Sequence, residues 1–135
     1  MLQLRKSHPM NAEEREHLVR TWIEHHRRRR EQGEPPEDTF WSWEKLDDAV
    51  RRQPDLAWEL ILQILETDQS SVTLENLAAG HLEDLFVRHG DSYIERIENQ
   101  AECDSTFNLL LGGVWKNAMS DDVWNGVRKI RGEIW

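Results

Sequence analysis

One cysteine, Cys103, stands among 135 residues, which excludes an intrachain disulfide and fits a reducing cytoplasm. Long apolar runs are missing too. The longest, Phe107 to Trp115, is broken by Asn108 and Gly112-Gly113 and is too short to span a bilayer. Met1 to Met10 carry charge and a proline but no apolar h-region, so no secretory signal is expected. Glycine-rich phosphate loops, a Gly-x-Ser-x-Gly elbow and a His-Glu-x-x-His pair do not occur. Cys103 lies between Glu102 and Asp104, whose charge disfavours a thiolate nucleophile. No catalytic centre is marked, and folding without a cofactor or metal is expected.

What the chain does have is tryptophan, seven in all, and long aliphatics at helical spacing. Leu18, Val19, Trp22, Ile23 and His26 form one stripe, Leu56, Leu60, Ile61, Ile64 and Leu65 a second, and Val123, Val127, Ile130 and Ile134 a third. Spacings of three and four place each set on one face of a helix. They predict a single all-α domain of six or seven amphipathic helices packed as antiparallel pairs, either an irregular bundle or a short solenoid-like array. The pairs are 41–52 with 54–67, 73–89 with 91–102, and 105–118 with 121–134, starting about thirty residues apart as in helical repeats.

Local signals divide the domain into an N-terminal helix (11–32), a loop (33–39) and a helical-pair body (40–135). Asn11 is a good N-cap, with Glu13, Glu14 and Glu16 near the positive end of the dipole and Arg27 to Arg30 near the negative end. Gly33, Pro35 and Pro36 stop that helix. Pro54 opens the third helix, Thr73 the fourth, Asp91 or Ser92 the next, then Asp104 or Ser105, and Ser120 the last, which runs to near Trp135. Gly80 kinks or splits the fourth, and Gly90 ends it as a left-handed cap.

Charge is uneven. Residues 1–36 hold eight Lys/Arg against six Asp/Glu, and residues 37–135 hold nine against twenty, within a net −9. An acidic body disfavours nucleic acid, whose affinity comes from Lys and Arg displacing counterions. It favours a basic protein partner, steered by the opposite field. Arg27 to Arg30 is the one basic run, diluted by Glu24, Glu31 and Glu34, and reads as a solvated helix end.

Three stretches carry a resemblance: Pro54-Asp-Leu-Ala-Trp58; Leu77-Ala-Ala-Gly-His-Leu-Glu-Asp-Leu85 with His89-Gly90; and Leu111-Gly-Gly-Val-Trp115. Together, over about residues 40–130, they resemble a small bacterial family characterised only as a domain of unknown function. In that family proline is frequent where this chain has His81, so His81 is not a signature. The resemblance implies a bacterial, cytoplasmic protein and no particular activity, and it leaves the arginine-rich helix outside the shared region.

Candidate side chains fall into two groups. Trp58, Trp115 and Trp124 fit buried faces, whereas Phe40, Trp41 and Trp43 cannot all point inward from one helix start. One of them docks the N-terminal helix or stands exposed as an interface anchor. Glu83 and Asp84 follow Gly80, with His81 and His89 near; a helix-terminal electrostatic role or a pair with Arg88 is their ordinary explanation. A metal site needs three or four convergent ligands. His17, His25 and His26 lack chelating spacing, and His26 reads as a hydrogen-bonded core histidine.

The expected function is a non-catalytic acidic protein-binding module, an immunity or antitoxin-like protein neutralising a basic partner. Trp41, Trp43, Asp47, Asp48, Glu83 and Asp84 are its nominated contacts. Two alternatives stand beside it: a regulatory or scaffolding homodimer joined through exposed aromatics, and a metal-dependent enzyme centred on Glu83 and Asp84.

Overall fold

Asn11 and Glu14 close a reciprocal capping box, each side chain 2.9 Å from the other's backbone N–H. The computed structural model describes residues 10–135, so the segment Met1 to Met10, in which no secretory signal is expected, lies almost wholly outside the described residues. From that cap α1 runs Ala12–Gln32 and ends at Gly33, whose φ of 83° needs a residue without a Cβ. Its inward stripe is Leu18, Val19, Trp22, His25 and His26, close to the expected one.

α2 (Phe40–Arg52) and α3 (Pro54–Thr67) follow, hinged at Gln53-Pro54, and form the first of the expected pairs. α1 packs on both and also on α4 (Ser71–Asn76). It therefore sits within the bundle, shielding the Leu46, Val50, Leu60 and Ile61 core, all fully buried. Burying each such side chain contributes about 1.5–3 kcal/mol.

α4 is capped by Ser70, not Thr73: the Ser70 hydroxyl accepts from the Thr73 N–H, while the Thr73 hydroxyl donates to Asp68. A π-helical turn, Leu77–Leu82, continues it to α5 (Glu83–His89), and the backbone leaves helical values at Gly80 (φ −119°, ψ −109°). The expected kink is there. Gly90 is not a left-handed cap; its φ is −53° and it opens a 3₁₀ turn, Gly90–Ser92. A Cβ on Gly90 would come within 2.8 Å of both Val123 methyls, so close packing explains this glycine.

α6 (Ile94–Cys103) starts after Tyr93, which makes no side-chain cap, so neither Asp91 nor Ser92 caps it; Asp91 accepts from the Ser120 hydroxyl. Asp104 caps α7 (Ser105–Leu111) through the Thr106 and Phe107 amides, and Ser120 caps α8 (Asp121–Ile130). Both of these helices are shorter than expected. Beyond Ile130 the chain extends and folds back: the Trp135 N–H donates to the Gly112 carbonyl and its indole to that of Leu109, while Arg131 reaches the Val114 carbonyl. Gly112 and Gly113 admit this tail, since a Cβ on Gly113 would lie 2.5 Å from the Trp135 ring.

The second and third expected pairs are replaced by another arrangement, with α6 packing chiefly on α7 and α8. The fold is all-α, a bundle of irregular connectivity rather than a solenoid. Counting Ser71–His89 as one kinked rod gives seven helices among the described residues. None of them is long and apolar enough to cross a membrane.

Candidate functional site

Trp43 and Asp47 are four residues apart on α2, hence on one face. Opposite them the break at Gly80 turns His81 inward and starts α5 with Glu83 and Asp84. Between these elements lies a pocket of about 260 Å³ whose walls include Trp43, Asp47, Gly80, His81, Asp84 and Asn117.

His81 forms its floor and is 2% exposed. The Trp22 indole of α1 donates to His81 Nδ1 at 3.2 Å. An indole N–H is a donor only, so Nδ1 carries the lone pair and the proton of the neutral ring sits on Nε2. Burial and then the neighbouring His26 push the His81 pKa down to about 3, keeping it neutral at physiological pH. Nε2 has no hydrogen-bond partner. Asp47 Oδ1 stands 3.9 Å away, beyond hydrogen-bond reach, and with a neutral ring this approach is not an ion pair.

The ring is held among aromatics. Its centroid is 5.0 Å from that of Trp43 and 6.2 Å from that of Trp22, and Phe40 stacks on Trp43 at 5.5 Å, nearly parallel. Trp22 also meets the ring of His26 at 4.2 Å. His26 is buried as expected, but it is not hydrogen-bonded: neither ring nitrogen has a partner, and the nearby Asn76 amide donates instead to the Val72 carbonyl. Its pKa falls to about 4, mainly through burial, then through His25 and Arg29.

The nominated residues separate. Trp43, Asp47, Glu83 and Asp84 line the pocket; Trp41 and Asp48 do not. Trp41 stacks on His17 of α1 at 5.1 Å, so it docks the N-terminal helix and remains partly exposed. Asp48 pairs with Arg52 at 3.3 Å. Glu83 accepts the Trp115 amide at 3.0 Å and the Asn117 side chain at 3.1 Å, which ties the loop after α7 to α5. Asp84 pairs with Arg88, as its spacing suggests. Trp115, expected to be buried, is 66% exposed because α7 ends before it. Trp124 is half-buried under Arg131.

The metal constellation does not assemble. His89 bonds the Val50 carbonyl through Nε2 at 2.7 Å, and Glu83 has both oxygens engaged. His81 could ligate through Nε2 only by moving its proton to Nδ1, against the Trp22 donor. Among the described residues no group of three His, Cys, Asp or Glu side chains could hold a metal ion. Three of the four arginines of the basic run pair with carboxylates, Arg27 with Glu24 and Glu31, Arg28 with Asp38 and Arg30 with Glu75 of α4.

Sequence reasoning missed the Trp22–His81 bond, which joins residues 59 apart. Its one trace was an indole on a core stripe that required an acceptor.

No curated protein and no solved structure matches the chain. A family match does exist, and it starts at Arg28, inside α1, rather than near residue 40, so the end of the arginine-rich helix lies within the shared region. Covering residues 28–134, it places the chain in the Family of unknown function (DUF6869).

Proposed function

We propose that the chain is a non-catalytic binding module for a basic protein, acting in the bacterial cytoplasm as an immunity or antitoxin-like neutraliser. The carrying observation is the pocket between α2 and α5, which Asp47 and Asp84 line together with Trp43, each carboxylate also pairing with an arginine one turn along its own helix, Arg51 and Arg88. Carboxylates beside an aromatic face suit an incoming Lys or Arg, through charge and cation–π attraction together. The protonated Nε2 of His81 and the engaged oxygens of Glu83 leave neither as a free base, which favours binding over catalysis.

The test is capture from the source cell's lysate by wild type and by Asp47→Asn/Asp84→Asn, at about 50 and 500 mM salt. One basic protein recovered stoichiometrically at low salt, and lost with the double variant while helical content is unchanged, is the expected result. Capture indifferent to those carboxylates would overturn the reading.

The homodimer alternative has its own observation. Trp115 and Ile134 are 66% and 62% exposed, and Leu109 and Trp135 border an apolar groove with Leu74. A mass that doubles with concentration, and returns to the monomer in Trp115→Ala, would select it.

A further inference from the structure

The loop after α7 meets two surfaces at once. On one side it carries the tail: the Gly112 carbonyl accepts from the Trp135 N–H at 3.1 Å, and the Val114 carbonyl from Arg131 at 3.0 Å. On the other it is tied to α5, where Glu83 accepts from the Trp115 N–H and from the Asn117 side chain. Glu83 and Asn117 both line the acidic pocket. Trp135 lines a second cavity, an apolar groove of about 260 Å³ shared with Leu74 and Leu109. Gly113 lies against the Trp135 ring and Asn117 follows it within four residues, so at most about 14 Å separates their Cα atoms. The pocket and the groove are therefore neighbours, bridged by the Leu111-Gly-Gly-Val-Trp115 stretch and the two residues after it.

Trp115 stands between the two ties, 66% exposed on a backbone held from both sides. A large side chain presented from a fixed backbone loses little freedom on binding, and tryptophans so placed anchor interfaces. Charge selects the occupant. Asp47 and Asp84 line the pocket, and the groove has Glu133 and Glu75, the latter paired with Arg30. A second copy of a chain with net −9 would bring like charge against both ends. An apolar segment carrying Lys or Arg meets the same surface with the opposite sign.

We propose that the acidic pocket and the apolar groove are two ends of one docking surface for a single segment of the basic partner. Its Lys or Arg enters beside Trp43, and its apolar side chains cross Trp115 into the groove. The inference deepens the reading above and rests on it, because the pocket is taken to receive the cation.

Linked and unlinked probes decide it. Acetylated, amidated peptides with an arginine, a spacer of about two to six glycines and a Leu-Leu end are titrated into the ¹⁵N-labelled chain. N-acetylarginine amide and the glycine–Leu-Leu half serve as the separate ends, and the signals followed are the indoles of Trp43, Trp115 and Trp135. At one spacer length the linked peptide is expected to shift all three and to bind at least tenfold more tightly than either half, because the second contact becomes intramolecular. Trp115→Ala should remove that gain and leave the arginine half unchanged at Trp43. Arginine binding at Trp43 with no gain at any spacer length would overturn the proposal and leave the pocket reading standing. A gain retained in Trp115→Ala would overturn it as well. No shift at Trp43 with any arginine probe would sink both. A mass that doubles with concentration, with the Trp135 shifts lost, would give the groove to a second copy and overturn the shared surface.

Discussion

At the scale of single residues, the histidines set the pH response. His26 and His81 have pKa values lowered from 6.5 to about 4 and about 3 by burial, whereas in the unfolded chain they titrate normally. Below pH 6.5 the unfolded state therefore binds more protons, and stability falls as the pH drops. It is complete above 6.5 and declines by up to about 1.4 kcal/mol per pH unit for each ring, until each folded-state pKa is passed. Asp38 and Asp55, held below the usual carboxylate range by hydrogen bonds from Arg28 and from Tyr93 and Arg96, act only below about 3.8. The loss between pH 6.5 and 4 thus belongs to histidine. Urea midpoints should fall from pH 7.5 to pH 5, and His26→Phe should reduce that slope without abolishing it, since His81 and His25, both also lowered by burial, remain. An unchanged slope would mean that His26 is not buried neutral. Trp22→Phe addresses the partner bond. It should cost about 1 kcal/mol for the lost hydrogen bond, plus whatever cavity the smaller ring leaves. It should also free His81 to populate both tautomers, visible in its ¹⁵N shifts.

At the scale of elements, helix starts were more legible than helix ends. Asn11, Pro54, Asp104 and Ser120 act within one turn of themselves, so their chemistry is present in the local sequence. The ends of α7 and α8 are decided elsewhere, by the tail that returns across Gly112 and Gly113. Nothing local distinguishes a glycine that admits a distant backbone from one inside a helix. Gly112→Ala tests this directly, because its Cβ would overlap the Glu133 carbonyl oxygen. The tail should lift, with a loss of about 1–3 kcal/mol for the forced displacement. Trp135 emission should shift to the red and proteolysis near residue 131 should speed up. A protein indistinguishable from wild type in both would show that the tail contact contributes little. The candidate site divides the same way. Trp43, Asp47, Glu83 and Asp84 could be nominated one by one from the sequence, but that they line one pocket with His81 depends on how α2, α5 and the Trp22 of α1 pack.

At the scale of the whole molecule, charge decides which associations are favoured. The chain carries a net −9, and most of the described arginines are already engaged with carboxylates of the same chain. Two copies of such a body repel each other, and added salt screens that repulsion over about 10 Å at 0.1 M. Self-association through Trp115, Ile134 and Trp135 would be an apolar contact made against this repulsion. Its dissociation constant should therefore tighten, or stay level, as salt rises. Capture of a basic partner draws on the opposite field and should weaken as salt rises, chiefly through slower association. The two readings thus predict slopes of opposite sign. Sedimentation of the chain alone from about 50 to 500 mM salt gives one slope, and partner capture over the same range gives the other. A mass that stays monomeric throughout, together with capture that falls with salt, would leave the acidic binder standing. A dimer that strengthens with salt, alongside capture indifferent to it, would transfer the function to the apolar face.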